Sequence, residues 1–429
     1  MSSLLRAGAI YALANVLAAG VPFMLLPVLT RVLSPAEYGR VVSFFMLVPV
    51  CAAVAGLSVH GAVGVRWLDR RSGDPRSYTA AAVLVAFGSS AVAAALAAVF
   101  APRAGIELAP ALCALAAVVA GATALQGTRF AVWQAAGQAL PAATLQVSSA
   151  AFNVGLSLLA VLALQAGGTG RILGASVAVA AVAALSVFSL HRDACLARPT
   201  AADIRSVLRF GLPLVPHTLA GAVLASVDRF AVAGQLGSGP LGVYGAASQL
   251  GLIINVITDA ATKAYTPTMY RLLAAPGLRS RLRLVGVAYL SVPVWAALAV
   301  VVWLLLGALG GWVLGPKYQE AISLSWWFLL GGAIGGIYLQ VAGLFFFSGR
   351  TEWLGAATML ACAFSAVLAP WAVAAYGASG GAMAYCAAQA ALVLAAWGLS
   401  QRLMPMPWVA PRLAVRVLIG RRAGRSGRP

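Results

Sequence analysis

Twelve stretches of about 20 mostly apolar residues constrain this chain more than any other feature. A helix rises ~1.5 Å per residue and the hydrocarbon core of a bilayer is ~30 Å thick, so a run of that length spans it. The stretches occupy residues 9–30, 41–63, 79–101, 109–127, 141–164, 172–190, 210–234, 241–265, 285–308, 320–347, 354–375 and 379–400. Each must be helical, because a backbone in lipid has to satisfy its own hydrogen bonds. The first run is too long for the apolar segment of a signal peptide and has no convincing cleavage site, so it is read as a retained helix. The expected fold is all-α: a polytopic membrane protein of twelve transmembrane helices in two pseudo-symmetric six-helix lobes. Residues 1–200 form one lobe, 201–400 the other, and 401–429 a basic cytoplasmic tail.

Composition agrees. Of the 429 residues, 62% are hydrophobic and 9% charged, against about 25% charged in an ordinary soluble protein. That much apolar side chain cannot be covered by the polar surface a soluble domain needs. A soluble enzyme, a disordered chain and a disulfide scaffold are excluded. Cys51, Cys113, Cys362 and Cys386 sit in apolar runs and Cys195 in a basic loop. With no C-x-x-C pair and no His cluster, neither a metal site nor a disulfide framework is supported, and no cofactor is expected.

The net charge of +19 separates two readings. Spread over a soluble surface it would suggest nucleic acid. Here the loops alternate: 22 of the 29 Lys and Arg fall on one side, 5 on the other, and Arg229 and Lys263 fall inside spans. Basic residues collect on the cytoplasmic side of membrane proteins. Both termini are therefore expected in the cytoplasm, and nucleic acid is not expected as a partner. Trp408 to Gly420 mixes apolar residues with Arg412 and Arg416, a pattern suited either to an ordinary positive-inside tail or to an anionic leaflet surface.

The two halves repeat. Leu33-Ser-Pro-Ala-Glu-Tyr-Gly39 follows the first span and Leu236-Gly-Ser-Gly-Pro-Leu-Gly242 the seventh. Pro22 and Pro27 fall in span one, and Pro213 and Pro216 in span seven. Matching prolines point to a transporter that rocks about a central site, or are simply tolerated in membrane helices. Two motif matches lack their context. Gly237-x-Gly239-x-x-Gly242 joins membrane helices with no strand before it, and Gly377-x-Ser379-x-Gly381 sits in a tight turn between spans eleven and twelve. The Gly331/Gly335 and Gly332/Gly336 spacings fit close helix packing.

Ionisable groups inside a bilayer are costly and usually face a cavity or each other. His217, Asp228 and Arg229 lie in span seven, Asp259 and Lys263 in span eight. The eleven-residue spacing of His217 and Asp228 puts them on one face of a continuous helix. Asn255, Asp259 and Lys263 form an i, i+4, i+8 stripe, and span five carries another of Gln146, Ser149, Asn153 and Ser157. Asp259 either neutralises Lys263 locally or shares a cavity with it. His217 is either a neutral buried imidazole or a proton carrier. Arg229 is always charged and suits phosphate or carboxylate. A water-filled cavity lined by Arg229, Lys263, amides and hydroxyls would suit an anionic, sugar-bearing lipid.

Three segments carry a family resemblance: Asn15 to Gly39, ending Leu29-Thr-Arg-Val-Leu-Ser-Pro-Ala-Glu-Tyr-Gly39; Arg209-Phe-Gly-Leu-Pro-Leu-Val-Pro-His217 through Ser226-Val-Asp-Arg-Phe230 to Tyr244; and Ala264-Tyr-Thr-Pro267. They resemble Wzx-type polysaccharide flippases of the multidrug/oligosaccharidyl-lipid/polysaccharide exporter superfamily. The resemblance implies transport, not catalysis: an undecaprenyl-diphosphate-linked oligosaccharide moved across the bacterial cytoplasmic membrane by alternating access. Carried over, the family's Asp-Arg pair falls on Asp228 and Arg229 and its first-span arginine on Arg31. With these, Gln146, Asn153, His217, Asn255, Asp259 and Lys263 complete the expected substrate-binding set. Membrane lipids and glycan-assembly proteins are the expected partners. The alternative is a cation-coupled multidrug exporter of the same superfamily, which predicts an apolar or acidic cavity and is disfavoured by Arg229 and Lys263. A glycan polymerase or ligase would need a sizeable outer loop, and the outer loops here are short.

Overall fold

Local signals at the helix ends decide where each apolar run starts and stops. Ser34 and Glu37 form a reciprocal capping box, with Pro35 at the first helical position. Thr200 and Asp203 repeat that arrangement. Each box satisfies two backbone donors that a helix start leaves open. In the computed structural model, which describes residues 2–69 and 73–420, every regular element is helical among the described residues. Ten helices are long and apolar enough to cross a membrane, and the chain is a multi-pass membrane protein.

Two compact units result. The first contains residues up to Gly245 together with Leu314–Lys317; the second contains Ala246–Val313 and the chain from Tyr318. In the first unit the elements are α1 (Ser2–Val32), α2 (Pro35–Ala55), α3 (Val59–Leu68), α4 (Pro75–Arg103), α5 (Pro110–Ala135), α6 (Ala139–Leu158), α7 (Gly167–Arg192), α8 (Ala201–Gly211), α9 (Val215–Leu224) and α10 (Val227–Leu236). The start of α11 (Ser238–Ala274) completes it. Helix α5 packs on α2, α3, α4 and α7. Its small residues are buried there: Ala116, Ala117, Ala120 and Gly121. In the second unit, α13 (Glu320–Ser348) packs on both α12 (Leu278–Val313) and α14 (Thr351–Leu403), and α15 (Pro411–Ile419) lies along α12.

Four sequence expectations are corrected. The second apolar run is not one helix: Leu57 and Ser58 take positive φ, 40° and 50°, and break it into α2 and α3. The seventh is in pieces. A 3₁₀ turn, Leu212–Leu214, follows α8, and α9 and α10 are separated at Ala225 and Ser226 (φ −138°, ψ −6°). The face argument for His217 and Asp228 required an unbroken helix and therefore fails. The proline echo is one-sided, because α1 runs on through Pro22 and Pro27, as membrane helices permit. Fourth, Arg171 and Arg129, placed in loops by the sequence, lie within α7 and α5.

Other expectations hold. Gly377 takes φ 61°, ψ −143° and divides α14 into two arms, 351–376 and 378–403. Positive φ is the region glycine enters without steric cost. The glycines of α13 do allow close approach. A Cβ on Gly331 would lie 3.3 Å from Cys386 Cα, one on Gly332 2.4 Å from an Ile254 methyl, and one on Gly336 2.7 Å from a Thr258 methyl.

The repeated connections touch each other. A Cβ on Gly39 would lie 1.8 Å from the Ser238 carbonyl oxygen, and one on Gly242 would lie 2.0 Å from the Pro35 oxygen. Only glycine permits either approach. Near this contact, the Gly315 amide donates to Thr30 Oγ1 at 3.0 Å. Arg70 and Arg71, and the polybasic end with Arg421, Arg422, Arg425 and Arg428, lie outside the described residues.

Candidate functional site

The polar stripe of span five forms on α6, and its partner is a residue the sequence reading had left outside the membrane. Arg171 sits in the second turn of α7 with 8% of its surface exposed. One guanidinium nitrogen, Nη1, donates to Asn153 Oδ1 at 2.9 Å and to Ser157 Oγ at 2.6 Å. The group stacks 4.8 Å from the Phe45 ring centroid. Its Nε is buried with no hydrogen-bond partner among the described residues. A cation near a helix N-terminus opposes the helix dipole, and burial adds a desolvation cost. The amide, the hydroxyl and the ring offset only part of that.

Arg229 repeats the situation on α10. It is in the first helical turn and half-buried. Its Nη1 reaches the Ala225 carbonyl at 3.4 Å, and its Nε is buried without a partner among the described residues. The fully buried Tyr38 of α2 lies within electrostatic range of both Arg171 and Arg229. Neither arginine has a carboxylate within ion-pair distance among the described residues. The neighbouring Asp228, 2% exposed, is engaged otherwise. Its Oδ2 accepts the Tyr244 hydroxyl at 2.6 Å, and its Oδ1 is buried without a partner among the described residues. The first unit thus holds two guanidinium groups without a carboxylate partner among the described residues, with Asn153 and Ser157 bonded to one of them. Chemically, that arrangement attracts anions and hydrogen-bonds polar groups.

The remaining expected residues scatter. Gln146 Nε2 donates to Asn15 Oδ1 at 2.8 Å, linking α6 to α1. Arg31 is exposed in the last turn of α1 and bonds the Pro27 carbonyl at 2.8 Å. His217 is exposed near the start of α9. In the second unit, Lys263 Nζ lies 2.6 Å from Asp259 Oδ2, with side chains 67% and 48% exposed. This is the local pairing that i, i+4 spacing allows, in an open setting. Asn255 packs its Oδ1 against Gly332. Arg229 and Lys263 belong to different units.

Arg129, the other arginine missed by the sequence, has a different character. It is 1% exposed, stacks 4.0 Å from the Trp133 ring centroid and forms an ion pair with Asp193, which follows α7. Burial opposes ionisation of Asp193, but hydrogen bonds from Arg192 and Arg129 and their charges outweigh it and hold the carboxyl below its ordinary value. A paired arginine of this kind ties two helix ends together. Arg171 reads as a loop residue because the apolar run begins at Ile172. The i, i+4 pair Asn153 and Ser157 was the available clue that a cation lay opposite.

This fold is that of transporters of the MOP superfamily. An inward-facing multidrug resistance MATE family transporter superposes with a TM-score of 0.69 over 96% of each chain at 14% identity. The lipid II flippase MurJ in an inward closed conformation gives 0.64 over 97% of this chain and 90% of that one at 13% identity. A point mutant of the Vibrio cholerae MATE transporter VcmN gives 0.60 over 96% and 99% at 15%. Residues 4–273, more than half of the chain, match the family described as "Polysaccharide biosynthesis protein", and the chain belongs to that family. A protein of the Lsg locus of Haemophilus influenzae is 23% identical over 156 residues, 36% of this chain. The alignment spans 38% of that relative's length.

Proposed function

We propose that this protein moves an undecaprenyl-diphosphate-linked oligosaccharide across the bacterial cytoplasmic membrane by alternating access, without chemically altering it. The observation that carries the reading is Arg171: a guanidinium buried in an apolar unit, held by Asn153 and Ser157, with no carboxylate neutralising it among the described residues. A diphosphate supplies the missing negative charge, and sugar hydroxyls suit the amide and hydroxyl stripe. Arg229 is the second cation of this site. Membership of a polysaccharide biosynthesis family supports the substrate class. We assign Arg31, Gln146, Asn153, His217, Asp228, Asn255, Asp259 and Lys263 to the translocation path. Glycan-assembly proteins are its partners.

The membrane topology belongs to the same proposal. Counting α1 and the two arms of α14 separately makes twelve spans, and the excess of basic residues on one side supports cytoplasmic termini. The lobes are then residues 1–200 and 201–400, with a basic tail from 401.

The second reading, a cation-coupled multidrug exporter, takes its support from the likeness to MATE transporters. The buried Arg171 and the half-buried Arg229 repel cationic drugs, which favours the first. Deleting the gene decides between them. Lipid-linked glycan accumulates on the cytoplasmic leaflet and the parent gene restores its appearance outside, whereas Arg171→Met and Arg229→Ala restore it poorly. Normal appearance of the glycan outside in the deletion strain, with no second flippase present, overturns the proposal.

A further inference from the structure

The second unit contains an apolar cleft that the transport reading does not use. Its volume is about 140 Å³, and α11, α12, α13 and the second arm of α14 form its walls through Tyr265, Val285, Tyr289, Leu344 and Trp397. The segment after α14 crosses it as a strap, contributing Met406 and Trp408. Three contacts fasten the strap. Tyr289 donates to the Trp408 carbonyl at 2.7 Å, the Met406 amide donates to Gln401 Oε1 at 3.2 Å, and Arg281 Nη1 reaches the Pro405 carbonyl at 3.4 Å. Beyond the strap, α15 lies so close to α12 that a Cβ on Gly286 would fall 2.6 Å from the Ala414 oxygen.

The cleft has an apolar mouth and a cationic rim. Val292 and Leu394 line it yet are exposed, so it opens to the surface through apolar side chains. On α12, Arg281 is four residues before Val285 and eleven before Val292, which puts it on the lining face one turn beyond the cleft. On α14, Arg402 is exposed at the end of the helix, next to the Gln401 that holds the strap. Arg412 and Arg416 lie on α15, beside Val409, which is 99% exposed, and the exposed Leu413. Exposed apolar side chains interleaved with arginines characterise a helix lying in a headgroup layer.

An apolar slot ending in arginines matches one ligand chemistry, a hydrocarbon chain with an anionic head. We propose that the strap and α15 form a binding site for an anionic phospholipid of the surrounding leaflet. An acyl chain fills the cleft against Trp397 and Trp408, and the phosphate rests among Arg281, Arg402 and the arginines of α15. The cavity accommodates a short length of chain and belongs to the second unit, whereas Arg171 and Arg229 belong to the first. The proposal stands whether or not the protein flips a glycan lipid.

The test uses the full chain in phosphatidylcholine vesicles with a minor fraction of chain-brominated lipid, because bromine quenches tryptophan on contact. The reported quantity is the quenching lost on replacing Trp397 and Trp408 by Phe. Brominated phosphatidylglycerol is expected to quench that signal about fivefold more effectively than brominated phosphatidylcholine, the ratio given by ~1 kcal/mol for one arginine near an anionic headgroup. Changing Arg281, Arg402, Arg412 and Arg416 together to Gln removes the preference while neutral-lipid quenching persists. Equal quenching by the two lipids overturns the head-group assignment, and no quenching by either overturns the cleft. Displacement of brominated phosphatidylglycerol by an equimolar amount of polyprenyl phosphate also overturns the proposal, by giving the site to the carrier lipid.

Discussion

Tyr244 donates its hydroxyl to Asp228 Oδ2 at 2.6 Å, across the Gly237 turn that joins α10 to α11. Both residues are buried. Tyr244→Phe leaves that oxygen without its donor, and a buried acceptor that loses its partner costs about 1–3 kcal/mol. Thermal unfolding in detergent should show the loss as a lower Tm. An unchanged Tm would mean that the hydroxyl does not hold Asp228.

Gly39→Ala and Gly242→Ala each drive a methyl into backbone oxygen, which no side-chain rotation can relieve. Overpacking costs about 1–3 kcal/mol in a well-packed site, and a rigid backbone obstacle lies at or above the top of that range. Gly239→Ala, with open space around its Cβ position, is the control and should retain parental stability. Yield of monodisperse protein and Tm report both.

Arg171→Met separates structure from transport. Removing a buried cation that has no ion-pair partner among the described residues relieves its desolvation cost, which offsets the donor lost to Asn153 and Ser157. We expect a Tm equal to or above the parent's, together with loss of lipid-linked glycan export. Lower stability with export intact would make Arg171 a structural residue.

Asp193 supplies a pH signature. Its carboxyl is held below the ordinary value, so the stability it contributes is complete above the ordinary carboxylate range, near pH 4, and is lost as pH falls through the lowered folded value. A Tm–pH profile should decline in acid, and Asp193→Asn should remove that component. The variant also leaves Arg129 buried and unpaired. Because Asp193 itself is 36% exposed, solvent screening limits the loss at neutral pH to about 1–2 kcal/mol.

The Asp259–Lys263 pair is open to its surroundings. Exposed i, i+4 pairs contribute about 0.3–0.5 kcal/mol. Lys263→Ala should therefore leave Tm within a degree or two and lower export. If Asp259→Ala lowers export equally, the pair acts as a unit; if it does not, Lys263 acts alone.

The apolar runs made the helical architecture legible, because span length and lipid leave the backbone one solution. The α13 glycines and the Gly377 turn could be read from spacing and residue type. The breaks at Leu57–Ser58 and at Ser226 could not. At the first of these, non-glycine residues hold positive φ, and a side chain on Gly211 would meet the Leu57 carbonyl at 2.4 Å. Within the site, Asn153 and Asp228 were visible as polar residues in apolar runs. Arg171 was hidden by lying one residue before its apolar run, and the Arg129–Asp193 pair by its separation of 64 in sequence.

The contact of Pro35–Gly39 with Ser238–Gly242 also sets a clock on biosynthesis. Its two sides are 203 residues apart, so the first connection cannot close until the second has left the ribosome. At ~5–20 residues per second that wait is about 10–40 s. During it, the start of α2 must sit in the bilayer without the segment that will cover it. The two glycines then close with no side chain to rearrange, and the last step of that assembly is a backbone meeting a backbone.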